Sequence, residues 1–216
     1  MKSPYQFIHL APKVQGEKQP AIFLLHGLGS DEKDLLQLVE GFQQNSHIFS
    51  LQGPVKHSPG YAFYTFEEEG KPERHIFDKV VQFTQNFIVE AIQEYDIALD
   101  QIYLVGFNQG AAIAQAVAVT LGNMVRGTVA LSGFLPEFVE LEYKKAEMNH
   151  SSIFISHGEY DYVYPMAWGQ NSARFFEEFG ANVTFYQFAD GHGVTTDVLQ
   201  AFTAFLNALM PPTVQN

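Results

Sequence analysis

The chain has 216 residues, a formal net charge of −12 and no cysteine. That length suits one domain, residues 1–216, with a sizeable core, and 46% hydrophobic with 17% charged residues excludes a largely disordered chain. The acidic balance argues against nucleic acid and anionic membranes as partners, since both need a basic patch; the lack of cysteine excludes a disulfide framework and a thiolate metal site, and suits a cytoplasmic location.

Residues 1–20 carry Lys2, Lys13 and Lys18 but no apolar stretch of signal-peptide length. No apolar run approaches the length of a membrane span. Tyr5 to Leu10 reads as a short strand, followed by a loop through Pro12, Gly16 and Pro20. Ala21-Ile22-Phe23-Leu24-Leu25 is a second strand ending in His26-Gly27-Leu28-Gly29-Ser30-Asp31, and Asp31 is placed to cap a following helix with Leu35, Leu36, Leu38 and Val39 on its apolar face. His47 to Leu51 is a strand, Gly53 to Gly60 a Gly/Pro loop, and Glu67 to Pro72 a solvated loop. Between those loops, the aromatic run Tyr61 to Phe66 suits a core or pocket wall better than a nucleotide-stacking surface, given the net charge. Residues 77–95 carry Val80, Val81, Phe83, Phe87, Ile88, Ala91, Ile92 and Tyr95 at helical spacing.

The central stretch is Gln101 to Ala112. Ile102-Tyr103-Leu104-Val105 is a strand apolar enough to be buried on both faces. Gly106-Phe107-Asn108-Gln109-Gly110 is a sharp turn, and Ala111 to Val119 is a helix of small apolar residues stopped at Gly122-Asn123. Thr128 to Leu131 is a strand ending in Ser132-Gly133; Leu135 to Asn149 is polar and mixed, a cap or a surface excursion. Ser152 to Ser156 is a strand leading to His157-Gly158-Glu159-Tyr160-Asp161. Met166 to Phe179 is a helix stopping at Gly180, Val183 to Phe188 the last strand, and Asp190-Gly191-His192-Gly193 its exit loop. Val194 to Met210 is a terminal helix broken by Pro211-Pro212. Strands and helices alternate, which predicts an α/β sandwich on a mostly parallel sheet.

In such a sheet, functional residues gather at the carboxyl ends of the strands. His26 to Gly29, Asn108-Gln109, Asp161 and His192 all fall there. Gly-x-x-x-Gly between a strand and a helix is the outline of a nucleophile elbow, and elbow, acid, histidine is the chain order of an α/β-hydrolase triad. The residue at the centre of the elbow is Asn108. Its amide nitrogen shares its lone pair with the carbonyl, and its N–H is too weak an acid for a histidine to remove. Asn does tolerate positive φ, so the turn can keep its shape without the chemistry.

With these pieces, the sequence resembles the carboxylesterase/phospholipase family of α/β-hydrolases, which includes acyl-protein thioesterases and small bacterial carboxylesterases. The matching segments are His26 to Asp34, Gly106-Phe107-Asn108-Gln109-Gly110-Ala111 against Gly-Phe-Ser-Gln-Gly-Ala, Leu131-Ser132-Gly133, His157-Gly158 through Asp161 to Pro165, and Gly191-His192. The resemblance implies an α/β-hydrolase fold with a minimal cap and no cofactor. It implies His192 as general base, Asp161 as its orienting carboxylate, the backbone N–H groups of Leu28 and Gln109 as the oxyanion hole, and position 108 as nucleophile. A small-molecule ester or thioester is the implied ligand; a homodimer stays open.

Blander readings compete at several positions. Glu159 is the nearest alternative carboxylate to Asp161. Ser132 reads as a turn hydroxyl before a substitute nucleophile. His157, Asp161 and His192 lack the spacing of a metal site, and the glycines lack the G-x-G-x-x-G spacing of a dinucleotide site. Three functions follow: an ester or thioester hydrolase whose serine has been replaced, a pseudoenzyme that binds a ligand or partner, and a chain in which Asn108 becomes Asp by deamidation. Gln109 disfavours the last, as an unfavourable neighbour for that reaction.

Overall fold

A computed structural model describes residues 6–14, 16–68 and 70–210. Tyr5 and Pro211-Pro212 lie outside them. Seven strands form the central sheet: β1 (Phe7–Leu10), β2 (Gln19–Leu25), β3 (His47–Leu51), β8 (Ile97–Phe107), β9 (Val125–Leu131), β10 (Ser152–Gly158) and β11 (Asn182–Phe188). Their spatial order is β1-β3-β2-β8-β9-β10-β11; β1 runs antiparallel to β3 and every other neighbouring pair is parallel. This is the mostly parallel sheet that the alternating elements predict, in an α/β-hydrolase fold.

The sheet has a core on each face because side chains alternate along a strand. Phe23, Leu25, Ile102 and Leu104 point to one side, where α2 (Arg74–Glu94), α3 (Gln109–Leu121) and α5 (Met166–Glu178) cover them. Ile22, Leu24, Tyr103 and Val105 point to the other, under α1 (Leu36–Val39) and α6 (Thr196–Leu209). The long strands are apolar at successive positions for this reason. α2 buries Phe77, Val80, Val81, Thr84, Phe87, Ile88 and Ala91, a stripe at helical spacing. α3 touches β2, β8 and β9 on one side and α2 on the other, so it is buried nearly all round and small side chains fit it. Among the described residues no helix is long and apolar enough to cross a membrane.

Three expected elements differ. Asp31 does not cap a regular helix: its carboxylate accepts from Lys33 N at 2.8 Å, closing a tight turn. The helix proper is only Leu36–Val39, continuing as a 3₁₀ segment, Glu40–Gln44. Short-range turn bonds take up the backbone there, yet Leu35, Leu36, Leu38 and Val39 still pack into the second core. The two supposed loops are hairpins, β4 (Val55–His57) with β5 (Gly60–Ala62) and β6 (Phe66–Glu68) with β7 (Lys71–Pro72); polar, glycine-containing sequence hides short two-stranded ribbons. The 135–149 excursion holds α4 (Glu137–Glu142). Arg74 bonds to Glu142 at 3.0 Å, and Phe138 packs edge-on against Phe77, so the segment packs on the start of α2.

At the β1–β3 edge, His9 Nε2 and His47 Nδ1 lie 3.0 Å apart, with Phe49 stacked on His9. Burial, and then the neighbouring His9, hold His47 down to about 4 from an ordinary 6.5. In the unfolded chain the ring protonates near 6.5, while in the fold it does so only near 4, so falling pH favours the unfolded chain across that window. The urea midpoint should therefore fall as pH is lowered from 6.5 toward 4, and His47→Phe should flatten that slope by one proton's share; an unchanged slope counts against this account.

Candidate active site

The chain steps from β2 to β3 on one side, then returns to place β8 on the other side of β2. The loops leaving β2 and β8 therefore diverge, and a crevice opens between them at the carboxyl edge of the sheet. His26 to Ser30 leaves β2 and Asn108 leaves β8. Ser132, Asp161 and His192 follow β9, β10 and β11 along the same edge.

Asn108 adopts φ 53° and ψ −115°. Glycines make this strained turn sterically feasible. A Cβ at Gly110 would sit 1.9 Å from the Leu25 carbonyl oxygen, and one at Gly106 2.3 Å from the Gly110 carbonyl oxygen. Such approaches are available only to glycine. Asn108 N donates to Leu131 O at 3.0 Å, and Gly110 N donates to His26 O at 3.1 Å. The turn is thus tied to both neighbouring strands.

From Asp161 outward, the hydrogen bonds determine one another. Asp161 Oδ1 accepts from Val163 N at 2.8 Å and from Tyr164 N at 2.9 Å. Asp161 Oδ2 lies 2.8 Å from His192 Nδ1. The carboxylate can only accept, so Nδ1 carries the proton and His192 Nε2 is left as an acceptor. Asn108 Nδ2 lies 2.9 Å from that Nε2 and donates to it. This orients the amide, and Asn108 Oδ1 then accepts from Gln109 N at 2.7 Å and Leu28 N at 3.3 Å. Of the five sequence-predicted residues, Leu28, Gln109 and His192 bond to the Asn108 side chain and Asp161 stands behind His192; Asn108 is only 5% exposed.

The alternatives resolve by position. Glu159 accepts from Gln187 Nε2 at 2.9 Å on an exposed surface. Ser132, at φ 46°, donates its hydroxyl to Gly193 O at 3.2 Å, bracing the loop that carries His192.

Several contacts around the site escaped the sequence reading. The buried Gln109 side chain accepts from Phe63 N at 2.9 Å and donates to Tyr64 O at 2.9 Å, clamping the aromatic segment to the turn. His26 Nε2 accepts from Gly53 N at 2.9 Å, so Nδ1 donates to Gly27 O at 2.7 Å and steadies the backbone before Leu28. Burial holds His26 below its ordinary pKa, partly offset by that carbonyl. His157 is fully buried, donates to Tyr164 O at 2.9 Å and faces Asp161 at 3.3 Å; burial lowers its pKa as well. Tyr164 packs edge-on to His192 at 5.7 Å. Burial raises its phenol, and contact with the Asn108 side chain pulls it part of the way back. Phe134 packs on Tyr164 and Trp168, and these rings lead to a cavity of about 330 Å³ also lined by Gly70, Leu135, Glu137 and Glu140. None of these contacts is periodic in sequence, so no local signal marks them.

A strand–turn–helix bend with an imidazole and a buried carboxylate behind it is shared by many enzymes, but one family model, described as phospholipase/carboxylesterase, matches residues 11–210. The chain belongs to that family. Acyl-protein thioesterase 1 of Debaryomyces hansenii is 29% identical over 189 residues, 78% of this chain and 81% of its own. Acyl-protein thioesterase 1 of Saccharomyces cerevisiae is 28% identical over 222 residues, 92% of this chain and 96% of its own. Among solved structures, the Bacillus cereus carboxylesterase superposes with a TM-score of 0.86 at 24% identity, covering 95% of both chains; that likeness speaks for the fold.

The Gln109 clamp has a measurable consequence. Gln109→Ala strands the Phe63 N–H and the Tyr64 carbonyl in the core and should cost about 1–3 kcal/mol in urea unfolding. A loss within error of zero would mean that water replaces the amide.

Proposed function

We propose that this protein carries the apparatus for hydrolysing carboxylic esters or thioesters of small molecules, with Asn108 at the nucleophile position, and is nearly inactive as it stands. In this reading His192 is the general base, Asp161 orients it and stabilises its charged form, and the N–H groups of Leu28 and Gln109 receive the developing oxyanion. The observation that carries the reading is the double engagement of Asn108, whose amide bonds to His192 on one side and to both backbone donors on the other. One residue thus stands between base and oxyanion donors, as a nucleophile must.

The reaction would run through residue 108 only with a hydroxyl there. A serine Oγ would give its proton to His192 Nε2 while attacking the acyl carbon. The carbonyl oxygen would take up charge against Leu28 N and Gln109 N, and His192 would pass the proton to the leaving alcohol or thiol. Water would then repeat the sequence on the acyl-serine. Asn108 blocks this twice. Its nitrogen is no nucleophile, and its Oδ1 occupies the two donors that the oxyanion needs. Loss of the serine in such enzymes costs about 10⁶ in turnover, on the order of 8 kcal/mol of barrier. No cofactor enters these steps, since side chains, backbone N–H groups and water carry all of them.

Asn108→Ser tests this. The variant should hydrolyse a short p-nitrophenyl ester well above the unaltered protein, and adding His192→Gln should remove about 10⁴-fold or more of the gain. A folded Asn108→Ser protein as inert as the original would sink the reading.

The assembled hydrogen bonds at a site without a nucleophile favour a second reading, a binding module for acyl or carboxylate ligands. A ligand oxygen would have to displace Asn108 Oδ1 from its two donors. Binding should raise the melting temperature in proportion to ligand excess, and Asn108→Ala, which empties the donors, should enlarge that shift; no shift from a series of fatty acids and acyl thioesters with either protein would reject it.

A further inference from the structure

We propose that the folded protein hydrolyses its own Asn108 side-chain amide, releasing ammonia and leaving an aspartate at position 108. The inference rests on the roles just proposed for His192, Leu28 and Gln109. It arises because the amide sits in the machinery as a substrate would. Its carbonyl oxygen is held by two backbone donors, Gln109 N at 2.7 Å and Leu28 N at 3.3 Å. Its nitrogen lies 2.9 Å from the imidazole nitrogen that faces away from Asp161. Acyl transfer needs an oxyanion site and a base that can relay a proton from the attacking water to the leaving group, and both lie against this amide.

The steps balance with one water as co-reactant. Water oxygen attacks Asn108 Cγ, its proton passes to His192 Nε2, and the carbonyl electron pair moves onto Oδ1, against Gln109 N and Leu28 N. Asp161 Oδ2, 2.8 Å from Nδ1, steadies the imidazolium. The pair then returns from Oδ1, the Cγ–Nδ2 bond breaks, and Nδ2 takes the proton from Nε2 and departs as ammonia. The new carboxyl group ionises, giving its proton to the ammonia. Nothing is oxidised or reduced. The product is favoured, because a carboxylate is a better acceptor than an amide for two N–H groups and for an imidazolium beside it.

Deamidation in flexible chains runs differently: the next backbone nitrogen attacks Cγ to form a cyclic imide, which opens to a mixture of aspartate and β-linked isoaspartate. Here that route is closed. The Gln109 N–H points at Oδ1, and Gln109 is the first residue of α3. The effect of Gln109 as a neighbour, which disfavours ordinary deamidation of Asn108, therefore does not bear on direct hydrolysis. An aspartate at 108 would be a potential covalent nucleophile, which the amide is not.

The test reads mass, not ester turnover. The folded full-length protein is held at neutral pH in ¹⁸O-labelled water for several weeks, then digested, and the peptide spanning residues 106–112 is sequenced by mass spectrometry. The expected result is conversion of Asn108 alone to α-linked aspartate carrying one ¹⁸O, at least about 10²-fold faster than in the urea-unfolded chain. His192→Gln and Asp161→Asn should each leave Asn108 as the amide, the second serving if the first does not fold. Intact Asn108 in the unaltered protein, isoaspartate in the product, or conversion as fast in either variant or in urea would overturn the proposal. If Asn108→Ser hydrolyses esters while Asn108 stays an amide, only this inference fails; if Asn108→Ser is inert, the functional reading fails first.

Discussion

Everything near the carboxyl edge of the sheet depends on the bend at Asn108. There β8 must reverse into α3 within one residue, against β2 and β9, with no room for a Cβ at Gly106 or Gly110. The bend holds φ at 53°, a value only a few non-glycine residues tolerate. It persists because the surroundings over-determine it: Asn108 N is tied to β9, Gly110 N to the end of β2, and Gln109 to the aromatic segment after β5. Strain of this kind is maintained by packing around it. The consequence is functional, since the side chain of residue 108 cannot turn into the core and faces the crevice.

What meets it there is a chain of hydrogen bonds whose polarity is set from the far end. Asp161 spends one oxygen on two backbone N–H groups and offers the other to His192. That fixes the imidazole tautomer, which fixes the amide orientation, which directs Oδ1 at Leu28 N and Gln109 N. The buried His157 stands against the same carboxylate, and burial keeps it neutral, so it orients without competing for charge. The Asn108 amide pairs with the free imidazole nitrogen and with both backbone donors. These bonds hold the cluster around Asn108 rigid and closed.

The family and the site thus describe two different things. Membership rests on a match over residues 11–210 and carries the hydrolase lineage. The site of this chain centres on one side chain, Asn108, whose amide bonds to His192 on one side and to two backbone N–H groups on the other. Function lives in sites grafted on folds, so the lineage gives the frame and the side chains at the strand ends give the chemistry.

Much was legible from local sequence. Apolar runs marked β2, β3, β8, β9 and β10, because strands buried on both faces leave no polar alternation. The spacing of Phe87, Ile88 and Ala91 marked α2, and the small residues after Gly110 marked a helix enclosed on all sides. Strand-end loops with His26, Asn108, Asp161 and His192 marked the site, since the ends of parallel strands share an edge. Periodicity could not reveal the β4–β5 and β6–β7 hairpins, which are too short and polar to carry a pattern. It overstated the helix after Asp31, where turn bonds to Lys33 and Asp34 took the backbone first. By itself, then, the sequence determined the layers, the strand-end residues and the identity of the group at the bend. Only the tertiary structure decided which way that amide points, because its orientation follows from hydrogen bonds to Leu28 and His192, 80 and 84 positions away, as well as to the adjacent Gln109, and no local pattern encodes the distant two.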